Sequence, residues 1–125
     1  MNKFRAWLGN EISPGVNETM IYSANYSSLS RFFHSFDCRY GEKKYLMRPT
    51  NIKDKNGNLW WEGDTLKRIG GGGWAVNIFF DGLSFRLKTE FGGLGHLEAD
   101  DTSFLEKIGN IYENPELTEW ANKAG

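Results

Sequence analysis

Two pairs of carboxylates are the residues best placed for acid–base work, Glu62 with Asp64 and Asp100 with Asp101. Such pairs act as general acid and base when burial drives their pKa values apart. Asp64 stands just before a strand-like run, where an aspartate more simply bonds nearby backbone amides and shapes a turn. Asp100 and Asp101 precede Thr102 in a polar stretch and read as loop solvation. His34 and Cys38 have the i, i+4 spacing that puts two metal ligands on one helical face. Zinc requires further soft or imidazole ligands, and only His96 remains, with no second thiol. Nothing in the sequence requires Cys38 and His96 to meet as a nucleophile pair. Gly70 to Gly73 suggests a phosphate loop, but Trp74-Ala75-Val76 follows where Lys-Ser/Thr is needed to reach phosphate and magnesium. The expectation is a chain with no catalytic residues, no metal and no cofactor.

Aromatics beside cations offer a different chemistry. Trp60, Trp61 and Trp74 lie close in sequence to Lys53, Lys55, Lys67 and Arg68. Within a regular strand, alternation lets only one of Trp60 and Trp61 face the core. The other is then partly exposed or held in a subunit contact, and exposed tryptophan is a common interface anchor. Trp60, Trp61 and Trp74 are therefore the candidate interface residues. The alternative is single-stranded nucleic acid, held by phosphate attraction and base stacking. Its candidate residues are Lys43, Lys44, Arg48, Lys53, Lys55, Lys67 and Arg68. A formal net charge of −1 weighs against a dedicated nucleic-acid binder.

Charge is unevenly spread. Six cations stand against Glu42 and Asp54 between Arg39 and Lys55, and eight acids against Lys107 and Lys123 from Glu90 onward. The pattern fits solvated surfaces, a basic face, or a head-to-tail contact between subunits. A chain of 125 residues is expected to form one domain, residues 1–125, with a sizeable core. A single cysteine, Cys38, excludes an intrachain disulfide and suits a reducing compartment. With no apolar run of membrane-spanning length and no signal-like segment, the expected location is the cytoplasm, with no membrane partner.

The elements that must position these residues are mostly strands. With 15 Gly and 19 aromatic residues (5 Trp, 5 Tyr, 9 Phe), short strands joined by tight turns are expected. Strands are predicted near Lys3–Leu8, Met20–Tyr22, Tyr45–Met47 and Thr65–Ile69. Asn56-Gly57 suits a type I′ turn, with Trp60 and Trp61 after it and a break at Glu62-Gly63-Asp64. Trp74 to Phe80 and Leu83 to Leu87 alternate strictly about Asp81-Gly82, which predicts a hairpin with one apolar face to be covered. Phe91 to Asp101 reads as a mobile loop, and Phe104 to Ile108 as a last strand that Gly109 bends or bulges. Leu29, Phe32, Phe33 and Phe36 have helical spacing, with Ser27 or Ser28 as N-cap. Asn114-Pro115 opens a C-terminal helix.

Three stretches in order resemble the YopX-like family of phage and prophage proteins. They are Lys3-Phe-Arg-Ala-Trp7, the segment from Leu46 to Lys67, and Ile108-Gly-Asn-Ile-Tyr-Glu-Asn-Pro-Glu-Leu117. Within the second, Asp54 to Gly57 and Glu62 to Asp64 match the family's turn and its glutamate-glycine-aspartate step. Asn51 departs from the family's usual glycine yet still tolerates a left-handed backbone. Residues 9 to 45 match weakly, and the Gly70 to Gly73 run looks particular to this chain. The resemblance implies a phage origin, self-association, and a mainly β fold built as an irregular small barrel or curled sheet of hairpins, with a short inserted helix and a C-terminal helix. It implies no catalytic residues. The functional expectation is a non-enzymatic accessory protein that binds, as a homo-oligomer, and modulates a host regulatory or defence protein. Nucleic-acid binding is the alternative.

Overall fold

The computed structural model describes residues 4–10, 18–34, 42–70 and 74–117, the side chains at 10, 29, 33, 34 and 42–44 aside. The chain divides into two compact units, residues 1–49 and 50–125. The mainly β class holds, and among the described residues no sheet closes on itself, so the sheets are open rather than a barrel.

The first unit contains β1 (Arg5–Asn10), β2 (Thr19–Tyr22) and β3 (Glu42–Met47). They pair antiparallel in the order β2-β1-β3, with Trp7 opposite both Met20 and Tyr45. A 3-10 turn follows β2, and Ser23 ties it to the start of β1 by exchanging hydrogen bonds with Phe4. Helix α1 (Leu29–His34) starts where its N-cap predicts. The Ser28 hydroxyl accepts the Arg31 N–H at 3.1 Å, and Phe32 is fully buried. Phe36, the last residue of the expected helix, and Cys38 lie outside the described residues.

The second unit opens with a two-stranded ribbon, β4 (Pro49–Lys53) with β5 (Leu59–Trp61). Asn51 has φ 65°, the left-handed conformation that asparagine tolerates best among non-glycine residues. The kink it makes is bridged by Thr50, whose hydroxyl donates to the Trp60 carbonyl at 2.7 Å and accepts the Ile52 N–H at 3.1 Å. The tip differs from the expected type I′ turn. Only Gly57 has positive φ, at 84°, and Gly57 N–H donates to the Asp54 carbonyl while Asp54 N–H donates to Asn58. That is a three-residue loop with a left-handed glycine, and the buried Asp54 carboxylate selects it by accepting the Asn56 and Asn58 N–H groups.

Five further strands follow: β6 (Asp64–Arg68), β7 (Val76–Phe80), β8 (Phe85–Thr89), β9 (Gly92–His96) and β10 (Leu105–Asn110). They form one antiparallel sheet in the order β10-β6-β7-β8-β9. One face of it buries Leu66, Val76, Ile78, Leu87 and Leu105 together with Trp60.

The β7–β8 hairpin exists, but it does not turn at Asp81-Gly82. Phe80 pairs with Phe85 and the Asp81 N–H donates to the Ser84 carbonyl at 3.1 Å, so Gly82 and Leu83 form the tip, where Leu83 stands 93% exposed. Asp81 makes the difference, because its carboxylate accepts both the Leu83 and the Ser84 N–H at 2.8 Å. Those bonds, from Ser84 and then Leu83, with the Arg86 guanidinium adding to them, hold the carboxyl below its usual value of 3.8. A lowered folded-state pKa stabilises the folded chain above the unfolded value, and that contribution is lost as pH falls through the folded value. Asp81→Ala should therefore reduce stability at neutral pH. The gap from wild type should close as denaturation is repeated at increasingly acid pH.

Phe91 to Asp101 is not the expected mobile loop. Its glycines join an edge strand, β9, which carries one extra residue, Leu94, where Leu87 pairs with Gly95 and Lys88 with Gly93. Glycine content hid the strand because it removes the alternation from which strands are read. The other edge, β10, bulges at Ile108, as Gly109 led one to expect. The Asn114 side chain fills the space where a Cβ on residue 109 would sit. Asn114 does not cap the C-terminal helix, since its side-chain oxygen accepts the Asn110 N–H instead. Of that helix, a 3-10 turn at Pro115–Leu117 lies within the described residues.

Candidate functional site

The three tryptophans of the sequence reading separate in the fold. Trp60, on β5, is fully buried in the second unit's core. Trp61 is only 7% exposed, which corrects the expectation that one of the two faces outward. Alternation assumes a regular strand, whereas β5 has three residues and runs straight into the Glu62-Gly63 turn. There the Trp61 N–H donates to the Asp64 carboxylate at 2.7 Å.

Trp74 is the indole that reaches solvent. It precedes β7 instead of covering its apolar face, is 61% exposed, and packs edge-on against Phe91 with centroids 4.9 Å apart. Phe91 follows β8 and is itself 71% exposed. Phe104, just before β10, is also exposed, and its carbonyl accepts the Ile69 N–H at 2.9 Å. All three aromatics thus sit at the end of the sheet where β6 and β8 finish and β7, β9 and β10 begin. Arg68 and Glu90 are exposed at the same end, and Asp100 lies on the 3-10 helix (Ala99–Ser103) that leads into Phe104. Exposed aromatics gathered in this way make a candidate protein-binding surface. Sequence reasoning found Trp74 but not its companions, because Phe91 and Phe104 fell at segment ends that periodicity does not reach.

Within the second unit the cations do not form one strip. Lys53 and Lys55 share the exposed β4–β5 tip. On β6, Lys67 is half-buried opposite Glu106, and Arg68 points to the other face of the strand. Arg48 is exposed in the first unit, where Lys43 and Lys44 lie on β3 opposite Gly9 and Leu8.

One carboxylate of each candidate pair is committed to structure. Asp64 is completely buried and ion-paired with Lys107 at 3.2 Å, so no substrate can reach it. Lys107 also donates to the Leu59 carbonyl at 3.1 Å. Asp101 accepts the Glu98 N–H at 2.8 Å in a capping box. His96 Nδ1 lies 3.1 Å from the Ser84 hydroxyl on the exposed hairpin. Among the described residues there is no group of three or more His, Cys, Asp or Glu able to hold a metal ion. No helix among them is long and apolar enough to cross a membrane.

No curated protein matches the chain. A solved structure, the crystal structure of protein EF1440 from Enterococcus faecalis, superposes with a TM-score of 0.52 at 23% identity. The match covers 94% of this chain and 97% of that one, and it supports the fold alone. The sequence model of the family described as YopX protein matches residues 3–119, a span that runs across both units. The early resemblance at Lys3–Trp7, Leu46–Lys67 and Ile108–Leu117 is thereby accounted for, and the chain belongs to the YopX family.

Proposed function

We propose that this protein acts by binding, as a self-associating phage or prophage accessory protein that engages a host regulatory or defence protein. The observation that carries the reading is the exposed Trp74–Phe91 pair at one end of the five-stranded sheet. A tryptophan left 61% exposed is dear to keep in water and is the residue most enriched at binding hot spots. One carboxylate of each candidate pair, Asp64 and Asp101, is instead used for an internal ion pair and a helix cap. Nucleic-acid binding has less to stand on, because the cations of the second unit are split between the β4–β5 tip and the two faces of β6.

The test is capture from infected host cells with tagged wild-type protein and tagged Trp74→Ala, measuring the mass of each recovered assembly. A protein partner held at fixed stoichiometry by wild type and lost in Trp74→Ala supports the reading. Recovery of nucleic acid that salt releases, with no protein, overturns it, since counterion release makes such binding steeply salt-dependent.

A further inference from the structure

We infer that Asn56 is a site of spontaneous covalent modification, closing on the Gly57 nitrogen to a succinimide and reopening to aspartate or isoaspartate, at a rate that Asp54 controls. The step is independent of what the protein binds and needs no reactant but water.

The chemistry follows from the residue pair. The chain has one asparagine followed by glycine, Asn56-Gly57. The Gly57 nitrogen, once it gives up its proton, attacks the Asn56 side-chain carbonyl carbon. A new C–N bond forms, the bond to the side-chain nitrogen breaks, and that nitrogen leaves with the proton as ammonia. Water then adds to one of the two ring carbonyls and reopens the ring, giving aspartate from one and isoaspartate from the other. Glycine favours closure because it has no side chain to crowd the ring, and even a Cβ at residue 57 would meet nothing within 4 Å. Asn56 and Gly57 are both exposed at the β4–β5 tip, where water reaches them. Among the described residues the Asn56 side-chain amide has no hydrogen-bond partner, so nothing withholds its carbonyl.

The backbone of the tip works against the reaction. Gly57 N–H donates to the Asp54 carbonyl at 2.9 Å, which keeps the nucleophile protonated and engaged. The buried Asp54 carboxylate accepts the Asn56 and Asn58 N–H groups, each at 2.9 Å, and so fixes the peptide units before and after the reacting one. Ring closure therefore waits for the tip to open, and its rate follows the population of the open form. Asp81-Gly82 provides the contrast. There the group that would be attacked is itself engaged, accepting the Leu83 and Ser84 N–H at 2.8 Å, and an ionised carboxylate is a far poorer electrophile than an amide.

The modification changes what the tip presents. Either product adds a carboxylate beside Lys53 and Lys55, so the formal charge of the tip, two lysines against Asp54, falls from +1 to 0. Isoaspartate also routes the backbone through an extra carbon. A loop that Asp54 holds at both ends cannot take this up without losing the bond to Asn58.

The experiment incubates the whole chain at neutral and alkaline pH, native and in urea. The peptide containing residue 56 is followed by mass spectrometry and reversed-phase separation, which tell asparagine, aspartate and isoaspartate apart. Wild type is compared with Asp54→Ala and Asn56→Gln, and circular dichroism establishes that each is folded. Aspartate and isoaspartate should accumulate at residue 56 ahead of every other asparagine, and faster at alkaline pH because the nucleophile is the deprotonated nitrogen. Wild type in urea should react roughly tenfold or more faster than native wild type, and folded Asp54→Ala at least about fivefold faster, since losing hydrogen bonds to a charged group raises the open population. Asn56→Gln, which would have to close a larger ring, should show no product at residue 56. Asp54→Asn keeps an acceptor oxygen without the charge, and it takes the place of Asp54→Ala, with the same direction expected, should the alanine variant not fold. No product at residue 56 of wild type in urea overturns the site. Native wild type reacting as fast as wild type in urea, or a folded Asp54 variant no faster than native wild type, overturns its control by Asp54.

Discussion

Asp64→Ala is expected to cost about 3–5 kcal/mol, enough to consume a large part of a domain's stability. The carboxylate is fully buried and answers two donors, the Trp61 N–H at 2.7 Å and Lys107 Nζ at 3.2 Å. Removing it deprives the Trp61 N–H of this acceptor and the partly buried Lys107 ammonium of its counter-ion, at the junction of β5, β6 and β10. The backbone around it is equally committed. Asn77 donates to the Gly63 and Asp64 carbonyls, Gly63 N–H donates to Ile78, and Ile111 N–H donates to Gly63. This one turn therefore holds the β4–β5 ribbon to the larger sheet. Lys107→Met should cost a similar amount, because it strands the carboxylate instead. The double variant Asp64→Leu/Lys107→Met should be more stable than the sum of the two losses predicts, since neither charge is then left alone. Urea unfolding followed by tryptophan fluorescence measures all of these. A loss below about 1 kcal/mol for Asp64→Ala would mean that the pair is as weak as one on the surface.

Much of this architecture is legible in the residues, and what is not follows from a small number of physical causes. Ser28, the left-handed tolerance of Asn51 and the Gly109 bulge all act locally, so the sequence alone predicts them. The two turns at Asp54 and Asp81 were placed correctly but mistyped. In both, an aspartate side chain captures two N–H groups: at Asp54 the turn lengthens to a three-residue loop, and at Asp81 the tip shifts to Gly82 and Leu83. Propensity names the turn residues without saying which amides the carboxylate will choose. Lys107 was out of reach for another reason. Its partners Asp64 and Leu59 are 43 and 48 residues away in sequence, and only the β10–β6 register brings them together. The aromatic end is likewise a product of register, with Trp74 and Phe91 meeting across β7 and β8 beyond the last paired residues.

Trp60→Ala and Trp74→Ala should have opposite consequences, although composition treats the two residues alike. Trp60 is fully buried among Leu66, Val76, Ile78, Leu87 and Leu105, and its removal is expected to cost about 3–5 kcal/mol through lost burial and an unfilled cavity. Its indole N–H has no hydrogen-bond partner, so none of that cost is a lost hydrogen bond. Trp60→Phe should consequently be much milder than Trp60→Ala, because it keeps most of the apolar volume and removes a buried donor that is already unsatisfied. Trp74 is 61% exposed, and its alanine variant should stay within about 0.5 kcal/mol of wild type in urea unfolding, apart from the ring contact with Phe91. Its effect should appear in association instead, where an exposed aromatic anchor counts most. If Trp74→Ala unfolds the chain as readily as Trp60→Ala, the aromatic end is part of the core and cannot be a docking surface. If Trp74→Ala leaves stability intact but abolishes assembly, the indole's exposure serves binding.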